Sequence, residues 1–336
     1  MSKPVLNAVE VQPETLPLGG MSPAVLASGR DEKQLVVGID LGGTKLLGAI
    51  ANADGSVLVE RELATGPDGP VAQVSGLANA LLAEVGAERS RLAQVVVGVP
   101  GVVDAEGAVS LSPHVVFGRG VSFADAVSAT LGVPVFADND ANIAAFGEYS
   151  VRTDPRQSGV VLLTLGTGVG MGIVVNGEIL RGAHGAAGEI GSMPYSGSTQ
   201  EHEARHYEAP VSTSGILAAY QAAGGQLGSV REIFDAADAG DSLAGAAVDQ
   251  CIRDLANGLG VVVSLLDPGL IVLGGGIGAR PGVAEQVASR LAALVPTPCA
   301  VLASRLGTRA GLVGALAKAG QLAAARLATA AKEAAA

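Results

Sequence analysis

Three short stretches carry glycine next to groups that bind anions. Asp40-Leu41-Gly42-Gly43-Thr44-Lys45 places a carboxylate, two glycines, a hydroxyl and an ammonium within six residues. Without a Cβ, glycine lets backbone N–H groups approach an anion closely. Thr44 adds a hydroxyl donor and Lys45 a positive charge. The Walker pattern is absent and no helix follows directly, so this is not a P-loop. G-x-G-x-x-G is also absent here, which weakens a dinucleotide reading. Gly166-Thr167-Gly168-Val169-Gly170 and Gly274-Gly275-Gly276-Ile277-Gly278 are a second and a third glycine turn. Any one of them alone reads equally well as a tight turn. Three at strand ends, two in matching hairpin context, point to a shared nucleotide site.

A second kind of chemistry is carried by Asp138-Asn139-Asp140, which follows the apolar run VPVFA. Ligand sites of α/β folds lie at the carboxyl ends of strands. A carboxylate there accepts the proton of a hydroxyl that attacks a phosphoryl group. Asn139 has both donors and an acceptor for neighbouring hydroxyls. The competing reading is an Asx turn that caps the helix ANIAAFGEYS. A third cluster, residues 184–212, holds His184, His202 and His206 with Glu189, Glu201, Glu203 and Glu208. Its residue types suit a metal site, a ligand pocket or a solvated loop.

These groups need elements to hold them. LVVGIDLGGTK (35–45) reads as a strand into a glycine turn. Residues 46–65 hold two strands about an Asp54-Gly55 hairpin turn. Residues 71–87 form an amphipathic helix. A strand and turn (95–104), a helix (121–132) and a strand (133–140) follow. Residues 159–180 repeat strand, glycine turn, strand, hairpin turn at Asn176-Gly177, strand. Helices are expected at 213–223, 229–238 and 243–266, a buried strand at 270–278, a helix at 283–295, a strand at 300–306 and a long Ala-rich helix at 311–336. Two halves of one pattern suggest two related α/β lobes with a cleft between them. Residues 1–34, rich in proline and without a helical period, are expected to be a flexible leader. The expected lobes are a small one, 35–140, joined by the C-terminal helix at about 312–333, and a large one, 141–311.

Composition agrees. The 336 residues are 49% hydrophobic and 16% charged, with 48 glycines and no Trp. Such a chain buries a core and suits packed βα units with tight turns. The net charge of −11 supplies no basic face, so a nucleic-acid partner is not expected. No apolar run reaches the roughly 20 residues that span a bilayer, and no signal-peptide pattern opens the chain. A cytoplasmic location without a membrane partner is expected. Cys251 and Cys299 lie far apart in no metal or redox spacing, as small core residues of a reduced compartment.

Together these stretches resemble the ROK family of the actin-like ATPase superfamily: GIDLGGTK (38–45), VGVPGVVD (97–104), DNDANIAAFGE (138–148), LLTLGTGVGMGIVVNGEILRGAHGAAGEIG (162–191), IVLGGGIG (271–278) and SRLGTRAGLVGALAKA (304–319). The resemblance covers about residues 35–325. It implies a two-lobed ribonuclease-H-like α/β fold with an ATP and sugar cleft between the lobes, and an ATP-dependent sugar kinase. Asp40, Gly42, Gly43, Thr44 and Lys45 would carry the first phosphate loop, and Gly166, Thr167 and Gly168 the second. Gly274, Gly275 and Gly276 would lie near the adenosine. Asp140 would be the catalytic base toward a sugar hydroxyl, with the 6-OH expected. Asn139, Gly101 and Glu189 would line the sugar, and Mg²⁺ would enter with ATP. A homodimer is implied by the resemblance alone. Members that repress transcription carry an added N-terminal helix-turn-helix domain; about 34 residues with prolines and no paired helices do not supply one.

One segment departs from the family. There the G-E-x-G motif is followed by His and then by a Cys-rich segment; that His and three Cys bind a structural zinc, and a final Glu contacts the sugar. Here Gly188-Glu189-Ile190-Gly191 is followed by Ser192, and no cysteine comes after it. Anchored on Glu-x-x-x-Ser, Glu208 takes the place of the final Glu, His206 the last Cys position, Glu201 the middle one and Thr199 the first. Zinc needs four good ligands, so no metal is expected and the loop is expected to be held by packing and hydrogen bonds. His202 and His206 with Glu201 or Glu203 would make at most a weak site. Ser192 leaves the pocket wider or wetter, and His114 stands where many members have Asn; both changes weigh against plain glucose, and a hexose or aminohexose is expected. The alternative is a non-catalytic sugar sensor on the same fold; the retained Asp140, Thr44, Lys45 and both phosphate turns argue against it. Polyphosphate as donor would need a basic groove, which the acidic composition does not offer.

Overall fold

A computed structural model describes residues 34–53, 55–112, 115–152, 159–195 and 205–334. The leader, His114, Thr199, Glu201 and His202 therefore lie outside the described residues, Gln34 excepted. In chain order the elements are β1 (Leu35–Leu41), β2 (Lys45–Asn52), β3 (Val57–Ala64), α1 (Pro70–Glu84), β4 (Leu92–Val99), β5 (Val102–Val103), β6 (Val109–Ser110), α2 (Phe123–Leu131), β7 (Val135–Asn139), α3 (Asp140–Ser150), β8 (Gly159–Leu165), β9 (Val169–Val175) and β10 (Glu178–Ile179). There follow β11 (Pro194–Tyr195), β12 (Arg205–His206), α4 (Glu208–Val211), α5 (Thr213–Ala222), α6 (Val230–Asp238), α7 (Ser242–Leu266), β13 (Leu270–Gly274), α8 (Gly275–Gly278), α9 (Val283–Leu291), β14 (Ala300–Ala303) and α10 (Ala310–Ala334).

The chain divides into two units. The first holds residues up to 154, with 178–187 and 309–336. Its sheet runs β3-β2-β1-β4-β7. The β1–β2 and β2–β3 pairs are antiparallel hairpins; β4 and β7 lie parallel to β1 and to each other. The parallel strands read as continuous apolar runs because both faces are covered. Leu77, Leu81, Phe123 and Leu131 close one face. Ile143 of α3 with Leu312, Ala315 and Leu316 of α10 closes the other. That packing is why α3 and the C-terminal helix belong with this unit: their apolar faces pack against this sheet and against each other.

The second unit holds 155–177 and 188–308. Its strands lie in the order β9-β8-β13-β14, with β8–β9 antiparallel and the others parallel. One core joins Leu163, Leu165 and Leu273 of the strands to Ile233, Phe234, Leu255, Leu259 and Val287 of the helices. Asn176 and Gly177 both take the left-handed conformation, with φ 52° and 80°, as a tight Asn-Gly turn requires. The strand–turn–strand halves thus recur in both units, as the sequence pattern indicates.

Several short elements were not legible as such. Residues 275–278 wind into one helical turn instead of continuing as an extended glycine run. The pairs β5–β6 and β11–β12 are two residues per strand, too short for any periodicity to show.

Candidate active site

In the first unit, three parallel strands end side by side. Asp40 of β1 is level with Gly98 of β4, and Gly98 with Asp138 of β7. Gly98 on the middle strand lies between the acids: a Cβ there would make ordinary contact, at 3.6 Å, with both the Asp40 Oδ1 and the Asp140 Cα. A Cβ on Gly311 would lie 2.5 Å from the Asp40 Oδ2, so this glycine of α10 leaves the space the carboxylate occupies. Burial, and then the neighbouring charge of Asp140, push the Asp40 carboxyl up to about 7, while Lys45 pulls it back. The Lys45 ammonium is itself shared with Glu62, 2.8 Å away.

Asn139 takes up the capping role. Its Oδ1 accepts from the Ala141 and Asn142 N–H groups at 2.9 and 3.2 Å and so caps α3. Its Nδ2 donates to the Gly101 carbonyl at 3.0 Å. One amide hydrogen is left for a ligand. Asp140 is the first residue of α3, and its Oδ1 accepts from the Ala141 N–H at 2.8 Å. Gly101 itself has φ +119°, and a Cβ there would meet the Ser110 carbonyl at 2.5 Å, so only glycine fits.

Two residues missed at the sequence level support this corner. Asp138 is 1% exposed. It accepts from the Asn139 N–H and the Asn142 side chain at 2.8 and 3.0 Å. The Arg181 Nε lies 3.2 Å from its other oxygen, as an ion pair whose N–H is not aligned for a hydrogen bond. Burial raises the Asp138 carboxyl; Arg181 and these hydrogen bonds lower it in part. Arg181 also donates to the Val103 and Asp104 carbonyls, at 3.2 and 3.4 Å. It thereby joins the segment 178–187 to the Gly101 loop and to the base of Asp140. Nothing in the spacing of residue 181 marks it; the repeated acid in Asp-Asn-Asp was the one available signal.

The first glycine turn is held by the Gly42 N–H donating to the Lys45 carbonyl at 2.8 Å. The Thr65 hydroxyl donates to the Gly42 carbonyl at 3.0 Å. Gly43 and Thr44 are exposed at its tip, where backbone N–H groups and a hydroxyl are open to an anion.

In the second unit the turn Gly166–Gly168 is closed by the Gly166 N–H on the Gly168 carbonyl at 3.0 Å. Thr167 and Gly168 are exposed. Gly275 lies against the backbone of Leu165, so the third glycine cluster, with Gly274 and Gly276, sits beside the second. The Glu208 carboxylate accepts from the Val169 N–H at 2.9 Å, which ties the acid of residues 184–212 to this turn. Partial burial, and then Glu208, raise the Glu189 carboxyl, so the two acids share one locality. Ser192 is exposed and its N–H donates to the Glu189 carbonyl at 3.2 Å.

The donor set of the departing segment does not fit a tetrahedral zinc. Ser192, Thr199 and Glu201 offer oxygens, and His206 one imidazole, where thiolate and imidazole are needed. Among the described residues no three His, Cys, Asp or Glu side chains converge as a metal site.

The sequence matches the ROK family over residues 36–321. It is 32% identical over 285 residues to the bifunctional enzyme NanE/NanK of Brucella melitensis, covering 83% of this chain and 52% of that one. The chain thus spans about half the length of that relative. It is 32% identical over 291 residues to N-acetylmannosamine kinase of Shigella flexneri, covering 83% of this chain and 96% of that one. The ROK hexokinase from Thermus thermophilus has the same fold, with a TM-score of 0.73 at 28% identity over 85% of this chain and 98% of that one. A ROK family glucokinase from Streptomyces griseus, solved with glucose and AMPPNP, gives 0.64 at 28% identity over 85% and 99%. The two units are therefore those of the actin-like ATPase fold. No helix among the described residues is long and apolar enough to cross a membrane.

Proposed function

The chain belongs to the ROK family, and we propose that it is an ATP-dependent sugar kinase acting on a hexose or aminohexose, with Asp140 as general base. The observation that carries this reading is the strand-end corner of the first unit. There Asp140 stands at the start of a helix whose cap, Asn139, is bonded to the Gly101 carbonyl. Asp40 lies beside it across Gly98. A sugar hydroxyl, the 6-OH by resemblance, gives its proton to the Asp140 carboxylate as its oxygen attacks the γ-phosphorus. The bond to the β–γ bridging oxygen breaks and ADP leaves. Asn139 and the rigid Gly101 turn orient the hydroxyl, and the two exposed glycine turns offer N–H groups to the phosphates. Positioning and charge stabilisation do most of the work in such transfers.

Mg²⁺ arriving with ATP would neutralise phosphate charge, and Asp40 is the residue suited to it. An oxygen donor whose ionisation is opposed by burial and a second acid gains from a hard cation. In the second unit Glu189, Glu208 and Ser192 are assigned to the sugar, whose hydroxyls a carboxylate pair accepts from. The N-acetylmannosamine kinase and glucokinase names among the relatives support the sugar class. His114 is assigned to the sugar from its sequence position.

The test is ADP release from Mg-ATP with glucose, mannose, glucosamine, 3-amino-3-deoxyglucose and the N-acetyl hexosamines in turn. One of these should support turnover. Asp140→Asn should lower kcat by about 10²- to 10⁴-fold, the usual worth of a general base, with the fold retained by circular dichroism. An active Asp140→Asn enzyme removes the base assignment. Sugar binding without ADP release for every sugar assigns a sensor instead.

A further inference from the structure

The segment that carries Glu189 and Glu208 is fastened to the long helix α7 by two tyrosines. β11 and β12 pair antiparallel, Pro194 with His206 and Tyr195 with Arg205. The Tyr207 N–H closes this pair on the Met193 carbonyl at 2.9 Å. Tyr207, directly before Glu208, is fully buried. Its hydroxyl donates to the Leu255 carbonyl at 3.0 Å. Its ring lies on Gly258, where a Cβ would come within 2.2 Å of it, so α7 is notched to admit the ring. The Tyr195 ring meets the Tyr207 ring edge-on, centroids 5.4 Å apart at 73°. The Tyr195 hydroxyl donates to the Asp254 Oδ1 at 2.8 Å. Asp254 is 3% exposed, and its Oδ2 accepts from Gln250 at 3.0 Å. Asn257 donates to the Tyr195 oxygen at 3.3 Å.

Burial first, and Asp254 besides, push the Tyr195 phenol up to about 12, so it remains a donor at any working pH. The two ends of the segment then face one locality. Residues 190–192 lead from Glu189 into β11, and Glu208 follows Tyr207 to reach the Val169 N–H.

We propose that Tyr195, Tyr207 and Asp254 are positioning residues that set Glu208 and Glu189 for the sugar, and that this aromatic anchor does so without a metal ion. The role rests on the reading that those two glutamates contact the sugar. A hydroxyl bonded to a buried carboxylate fixes one phenol, a main-chain carbonyl fixes the other, and edge-on packing couples them. The carboxylates next to the rings then lose little freedom when a sugar arrives.

The test uses the full chain with Mg-ATP and the sugar that turns over. Tyr195→Phe removes one oxygen and keeps the ring. It should raise the sugar KM about five- to tenfold, as expected for losing a bond to a buried charge, with kcat and the ATP KM within about twofold. Asp254→Leu should act likewise. Asp254→Asn, which keeps an acceptor, should restore the sugar KM to within about twofold of wild type. Atomic absorption should find no zinc in the purified protein, and phenanthroline with Mg²⁺ in excess should leave the sugar KM unchanged. Stoichiometric zinc whose removal raises the sugar KM overturns the proposal. So does an unchanged sugar KM in both Tyr195→Phe and Asp254→Leu, whatever their melting temperatures. If the wild-type chain phosphorylates no sugar, the kinase reading fails by itself. The anchor is then read by amide exchange: residues 190–195 and 205–211 should exchange faster in Tyr195→Phe, and unchanged exchange overturns it.

Discussion

At the scale of single residues, Asp40 has a consequence for stability. Its carboxyl is raised in the folded protein from 3.8 to about 7, so the native state holds this proton more tightly than the unfolded chain does. The stability it contributes is complete below about pH 3.8 and is lost as the pH rises through about 7. Above that, a buried charge beside Asp140 opposes folding. In the absence of Mg-ATP, Asp40→Asn should therefore melt higher than wild type at pH 8. The gap should widen from pH 5 to pH 7 and then level off, by several degrees in all, as a shift of this order implies. A gap that does not change with pH would show that Asp40 is not the titrating group. The same substitution should cost phosphoryl transfer, because the acid that strains the fold is the one assigned to the cation. Asn139 shows how a residue serves both fold and site: capping uses its oxygen, and its amide retains a hydrogen for a ligand.

At the scale of elements, the segment 178–187 leaves one sheet strand and returns to the other unit, and Arg181 is its anchor. Arg181→Met would leave Asp138 buried without its counter-charge. Removing one partner of a buried pair costs about 3–5 kcal/mol where both are sealed. The Arg181 side chain is 31% exposed, so solvent screens the pair and about 1–2 kcal/mol is expected. Urea unfolding measures it. Activity should fall further than stability, because the Asn139–Gly101 contact loses its support; Asp138→Asn in the same chain should recover part of both. An Arg181→Met enzyme with wild-type kinetics would confine the residue to structure. β7 and α3 make the matching point about local signals: an apolar strand, Asn139 as cap and Asp140 in the first turn are all short-range features.

At the scale of the whole molecule, the net charge of −11 favours holding small anions at a few local sites, exposed backbone N–H groups and Lys45 among them, over a broad basic surface. The resemblance implies a homodimer, and the second unit has an apolar face suited to it. Val261 and Leu265, one turn apart on α7, are 44% and 77% exposed, and Leu294 is 52% exposed. Leu265→Glu is expected to give a single-chain mass by light scattering where wild type gives twice that mass. A wild-type monomer would remove the expectation.

The sequence by itself determined the repeated strand–glycine–strand pattern, the helices of ten residues or more and the family, since periodicity and motif order are local and linear. It also singled out Asn139 and Asp140, because an amide and a carboxylate at a strand end carry chemistry of their own, while Asp40, Glu189 and Glu208 were marked by the family's motifs. Only the tertiary structure decided what stands around them. That Asp40 faces Asp140 depends on strand register and on Gly311, which belongs to a distant element. Arg181 and Asp138 are 43 residues apart and meet only because a chain segment returns to its first sheet. Tyr195, Tyr207 and Asp254 read as ordinary core and surface residues until α7 is packed against them, since a contact across 59 positions leaves no trace in spacing.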